Sequence, residues 1–212
     1  MQTTMKEFTE TVAGVRDQCD SLSEGLAKLH KLSAQAPPIE ALPMAFNFST
    51  LALELTSHYV ATWGVHPVAN LKAENADRLV MLSKTTFVWS LSAMAFAAKG
   101  AIAAYSGVLS PKKGKRLYLH GVVEMSAGAG LIDAVKRPLW LGVNTVRNML
   151  VHNNGYGDVK NSWKFTKDLI VTMEVGKMIR GNITTFPRLL SWTVAEYADW
   201  CDRFLKKAIP SP

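Results

Sequence analysis

Apolar residues recur along this chain mostly at helical spacing. Phe8, Val12, Val15, Cys19, Leu22, Leu26 and Leu29 follow one another in steps of 4, 3, 4, 3, 4 and 3. That rhythm places them on one stripe of a helix over 4–33, with polar residues on the other faces. Ala36-Pro37-Pro38 ends it, because proline lacks an amide donor and crowds the preceding turn. Pro43 opens a second helix over 43–63, rich in Phe46, Phe48, Leu51, Leu55 and Tyr59, and Gly64 and Pro67 stop it. A long central helix is predicted over 75–106 and a shorter piece over Leu117–Met125, followed by a small, flexible stretch from Ser126 to Gly130. Pro138 starts a helix that runs to His152. Asn153-Asn154-Gly155 closes it, since Asn and Gly tolerate the left-handed conformation past a helix end.

The pattern changes after residue 158. Leu169-Ile170-Val171-Thr172-Met173 favours a strand, and Met178-Ile179-Arg180 resumes it after Val175-Gly176-Lys177. A short hairpin is therefore expected within 168–183. Thr185 and Pro187 mark the start of a final helix carrying Leu190, Val194, Tyr197, Trp200 and Phe204. The expected fold is mainly α: a helical bundle with a small β-hairpin and a C-terminal helix. One domain covers 1–212, made of an N-terminal helix (1–36), a helical core (43–155) and the hairpin with the last helix (159–212).

Composition adds three points. Hydrophobic residues make up 48% of the 212, ample for a core, while charged residues at 19% fall slightly below the usual share. A buried oligomer interface would account for that deficit. The formal charge of +7 favours nucleic acid, anionic lipid or an acidic partner, without choosing among them. Cys19 and Cys201 form no C-x-x-C pair, no disulfide framework and no zinc set, so neither metal nor cofactor is expected and the chain reads as cytoplasmic. Met1–Phe8 contains Lys6 and Glu7 and no apolar run, so no signal peptide is expected.

Phe87–Leu109 is long and apolar, but Lys99 and Gly100 split it. Its uncharged run, Thr85–Ala98, is 14 residues, short of the roughly 18 needed to span a bilayer. Ala and Ser dominate it. A buried central helix is expected, with a membrane-associated helical protein as a rival reading.

The chemistry concentrates in Val143–Gly155. On a helical projection Leu139, Val143, Val146 and Leu150 face the core, and Asn148 and His152, four apart, share another face with Trp140, Asn144 and Val151. Arg147 lies beside Asn148 and is long enough to reach the same spot. Its guanidinium offers a forked, permanently charged donor for phosphate oxygens. His152 can move a proton near neutrality, and Asn148 can orient the imidazole or hold a phosphate oxygen. An anion binder with a proton shuttle suffices for cleaving RNA without metal, because the 2′-hydroxyl is itself the nucleophile.

Arg147-Asn148-Met149-Leu150-Val151-His152, followed by Asn153-Asn154-Gly155, resembles the R-x4-6-H motif of the HEPN superfamily in its four-spacer form. The resemblance covers mainly 75–155. It implies an α-helical, usually dimeric fold and, in active members, RNA cleavage in a cleft at the dimer interface. Arg147 would then hold phosphate and stabilise the transition state, His152 would transfer the proton and Asn148 would support it. A toxin or defence effector, with RNA and an antitoxin or regulatory protein as partners, is what the resemblance implies. A non-catalytic module binding RNA, nucleotide or protein through the same face is the alternative. The blander reading is a surface Arg and a helix-capping His.

Ser110–Arg116 is a basic loop in which Lys112, Lys113, Lys115 and Arg116 form either a phosphate-backbone patch or a plain solvated loop. Glu124 is expected to pair with Arg147 or with this loop. His58, His66 and His120 are read as structural or solvated.

Overall fold

The computed structural model describes residues 4–64, 71–111, 116–179 and 181–209. The described elements are α1 (Met5–His30), α2 (Ala41–Trp63), α3 (Ala73–Ala104), α4 (Leu119–Gly128), α5 (Arg137–His152), β1 (Asn161–Thr166), β2 (Leu169–Met173) and α6 (Thr185–Ala208). The fold is mainly α, a helical bundle with one small antiparallel sheet and a C-terminal helix.

α1 begins with a reciprocal cap. The Glu7 amide donates to Thr4 Oγ1 at 3.2 Å, and the Thr4 amide donates to Glu7 Oε2 at 3.0 Å. Its buried stripe is Met5, Phe8, Val12, Val15, Cys19, Ser23 and Leu26. Leu29, predicted on that stripe, is instead 61% exposed, while its neighbour His30 turns inward to Asp202 of the last helix. α1 packs on α2 and α6, and α2 and α6 both pack on α3. Gly64 ends α2 in the left-handed conformation (φ 59°), which a residue without Cβ adopts without steric cost.

α3 runs through the middle of the bundle. Phe87, Leu91, Met94, Ala97, Ala98 and Ala101 are buried along one side. Among the described helices, α3 alone has the length and composition to cross a membrane, with a mean hydropathy of 1.4 in its most apolar window. Its other side carries exposed Met81, Trp89 and Phe96.

Two expectations are corrected here. The stretch from Ser126 is not a flexible linker: α4 continues through Gly128, and Ser126 is fully buried, accepting a hydrogen bond from Trp200 Nε1 at 2.9 Å. The hairpin also has a different partner. β2 pairs with β1 upstream, Trp163 opposite Val171 and Lys164 opposite Ile170. Met178 and Val175 make only isolated bridges, to Tyr156 and Gly157. β1 turns Trp163 and Phe165 inward, and β2 turns Leu169, Val171 and Met173 inward, so the sheet is half-buried against α5 and α6.

Candidate functional site

α5 supplies the frame for the motif. Pro138 sits in its first turn, where a missing amide is harmless. Trp140, Gly142, Val143, Val146 and Met149 form its buried side. The helical projection puts Trp140 on the face shared with Asn148 and His152. It lies in the core instead, its ring 5.9 Å from that of Trp192, while Leu139 and Leu150 are only half-buried. The hydrophobic stripe is thus rotated towards the sheet. β1 lies so close to α5 that a Cβ on Gly142 would come within 2.6 Å of the Trp163 ring.

The remaining flank of α5 carries Asn144, Arg147 and Asn148, all half-buried, with Val151 and His152 exposed. Arg147 Nη1 donates to Asn148 Oδ1 at 3.1 Å, and Nη2 donates to Ser92 Oγ of α3 at 3.3 Å. Arg147 therefore lies across α3 with no carboxylate partner among the described residues. Asn148 orients Arg147 rather than His152. The His152 ring has no hydrogen-bond partner among the described residues.

The end of α5 is pinned. The amides of Asn153 and Gly155 both donate to the Met149 carbonyl, at 3.0 and 2.9 Å. Asn154 (φ 50°) and Gly155 (φ 84°) turn the chain in the left-handed region. The Ile179 amide donates to Gly155 O at 2.7 Å, tying this turn to the segment before α6. His152 thus stands at the end of a fixed helix.

Lys84 lies under the same turn, and the functional reading of the sequence passed it over. Its side chain is buried, with Nζ 5.7 Å from the Phe186 ring centroid and 3.9 Å from where a Cβ on Gly155 would stand. No carboxylate pairs with it at salt-bridge distance among the described residues. Burial lowers its pKa from the ordinary 10.5, against a smaller upward pull from Asp77. The spacing Lys84, Phe87, Leu91, Met94 put it on the buried stripe of α3, the one signal that would have found it.

Lys112, Lys113 and Lys115 fall outside the described residues. Arg116 is exposed, its guanidinium carbon 5.8 Å from the Tyr118 ring centroid. It lines an open cleft of about 670 Å³ at the end of α3, with Lys99, Ile102, Ser106, Ser110 and Leu117 among the walls. Among the described residues Glu124 pairs with neither Arg147 nor Arg116. It holds Arg137 in a forked pair at 2.8–3.2 Å, because the two face each other between α4 and α5. His120 is exposed, His58 shares a 3.3 Å hydrogen bond with Thr62, and His66 lies outside the described residues. Cys19 and Cys201 are buried thiols; burial, helped by Asp20, pushes Cys19 up to about 12, and burial also raises Cys201. Among the described residues no three His, Cys, Asp or Glu side chains converge as a metal site.

The chain matches no family model, no curated protein and no solved structure.

Proposed function

We propose that the chain is a HEPN-like, metal-independent endoribonuclease that works as a cytoplasmic homodimer, in the manner of a toxin or defence effector held by a cognate antitoxin. The observation that carries this reading is the Arg147 guanidinium, fixed by Asn148 and Ser92 on a half-buried flank, with exposed His152 at the end of the same helix. Arg147 holds the non-bridging oxygens of a phosphodiester. The RNA 2′-hydroxyl attacks the adjacent phosphorus, the bond to the 5′-oxygen breaks, and His152 moves a proton between these oxygens. The protein supplies charge and protons, and the substrate supplies the nucleophile.

The unpartnered His152 ring favours a second reading, a non-catalytic module that binds RNA or protein through the same flank. A base with no orienting partner is poorly positioned unless a second copy or the substrate completes it. A membrane-associated protein built around α3 is the remaining alternative, and a stable preparation without detergent disposes of it.

The deciding experiment is cleavage of mixed-sequence RNA in EDTA by the wild type, His152→Ala and Arg147→Ala, purified identically. Activity in the wild type alone supports the nuclease. Equal activity in all three points to another site or a contaminant. Inactivity throughout, with RNA binding lost only in Arg147→Ala, favours the binding module.

A further inference from the structure

The outward side of α3 is unlike the surface of an ordinary core helix. Trp89, Ser92, Phe96, Lys99 and Ala103 follow in steps of 3, 4, 3 and 4, so they form one stripe along the helix. Trp89 is 47% and Phe96 66% exposed. Two large aromatic rings left to water on one stripe mark a binding surface more often than chance exposure. Trp89 leans on Phe48 of α2, ring centroids 5.6 Å apart, which braces it while leaving part of the indole open.

Cations alternate with these rings. Arg147 reaches over from α5 to Ser92, between Trp89 and Phe96. Lys99 follows Phe96 by one turn and lines the 670 Å³ cleft that Arg116 also lines. None of Arg147, Lys99 and Arg116 has a carboxylate partner among the described residues. Glu40 approaches α3 at Gly100, which lies about 100° around the helix from Lys99. The order along the stripe is ring, cation, ring, cation, and then a cleft with a second cation on its wall.

We infer that this stripe is a track for single-stranded RNA, with bases stacked on Trp89 and Phe96 and the intervening phosphates held by Arg147, Lys99 and Arg116. The inference rests on the nuclease or RNA-binding reading of Arg147 and names the form of RNA it takes. Charge complementarity selects the occupant: three unneutralised cations spaced between aromatic rings suit a polyanion with exposed bases. A duplex hides its bases inside the stack and cannot lay them on Trp89 or Phe96. From Trp89 to Lys99 the helix rises about 15 Å, enough for the shortest of the roughly 4–16-nucleotide sites that single-strand binders use.

The test uses the full chain carrying His152→Ala, so that bound RNA stays intact, with a fluorescein-labelled 12-nucleotide oligo-U strand and a duplex of equal length. Anisotropy should show the strand bound at least about tenfold more tightly than the duplex. Phe96→Ala removes an exposed ring and little core. It should weaken strand binding between about fivefold and a hundredfold, the range expected for one lost stacked base. Lys99→Gln and Arg116→Gln should each lower the slope of log affinity against log salt by about 0.7. Equal affinity for duplex and strand, or an unaltered affinity in Phe96→Ala, overturns the inference. So does a Phe96→Ala variant that sediments as a monomer where the parent is a dimer yet binds RNA unchanged, which would assign the stripe to a second copy. Binding to anionic vesicles in preference to the strand also overturns it. Strand binding with this pattern but no cleavage by the wild type supports the track and defeats only the nuclease reading.

Discussion

Gly142→Ala tests how tightly the sheet braces the motif helix. A Cβ at that position would lie 2.6 Å from Trp163 Cδ1 and 2.7 Å from both Cγ and Nε1. All three atoms belong to the same face of a buried indole, and Cγ is its root, so the ring cannot escape by a small swing at its tip. Overpacking of this kind costs about 1–3 kcal/mol, and the breadth of this contact argues for the upper half of that range. Alanine in a helix interior recovers about 1 kcal/mol relative to glycine. The net loss is then about 1–2 kcal/mol, or a fall in Tm of roughly 2–8 °C for a domain of this size. Gly25→Ala is the control, since nothing lies within 4 Å of its Cβ position on α1. It should raise stability by about 0.5–1 kcal/mol. Thermal and urea unfolding followed by circular dichroism measure both. A Gly142→Ala protein that gains stability as Gly25→Ala does would refute the close packing of β1 on α5.

Three further changes probe buried or half-buried polar groups. Ser126→Ala leaves the buried Trp200 indole N–H without its 2.9 Å acceptor and should cost about 1–3 kcal/mol in urea unfolding, and no loss would deny that bond. Lys84→Met replaces a buried cation that lacks a carboxylate and should raise the urea midpoint at neutral pH; a lower midpoint would show that Lys84 has a stabilising partner. Because burial holds the folded pKa of Lys84 below 10.5, the wild type should also gain stability as pH climbs through that folded value towards 10.5, and Lys84→Met should lack that gain. Burial raises the Asp202 pKa, but hydrogen bonds from Lys206 and His30 outweigh it and leave the net value below 3.8. Stability from that pair is therefore present above 3.8 and lost as pH falls through the depressed value. Asp202→Asn should flatten the acid limb of a stability profile, and an unchanged limb would assign acid unfolding elsewhere.

The helices were legible wherever an apolar stripe and a breaker coincided. The 3–4 rhythm from Phe8 to Leu26 lies buried except for half-buried Leu22, the stripe from Leu190 to Phe204 is buried throughout, and Pro37, Pro38 and Gly64 fall between helices. Two kinds of information were missing. Pairing is one: β1 shows only Trp163 and Phe165 as apolar positions in six residues, so its alternation was too short to announce a strand, and the more apolar 178–180 was taken as the partner of β2. Orientation is the other. α5 carries apolar residues on two adjacent stripes, and the sequence alone does not say which one meets Trp192, so the projection groups Trp140 with Asn148 and His152. In the site, the adjacency of Arg147 and Asn148 followed from the helix, whereas Ser92 and Lys84 come from α3, more than 50 residues away in sequence, and needed the tertiary fold.

In the proposed function, Arg147 and His152 cut RNA using its own 2′-hydroxyl. The most direct measurement is single-turnover cleavage in EDTA of one labelled RNA strand and of the same sequence as DNA, by the wild type and by His152→Ala. Cleavage of the RNA by the wild type alone is expected, leaving a 2′,3′-cyclic phosphate and a free 5′-hydroxyl. Cleavage of the DNA at a comparable rate, or RNA cleavage undiminished in His152→Ala, would contradict it.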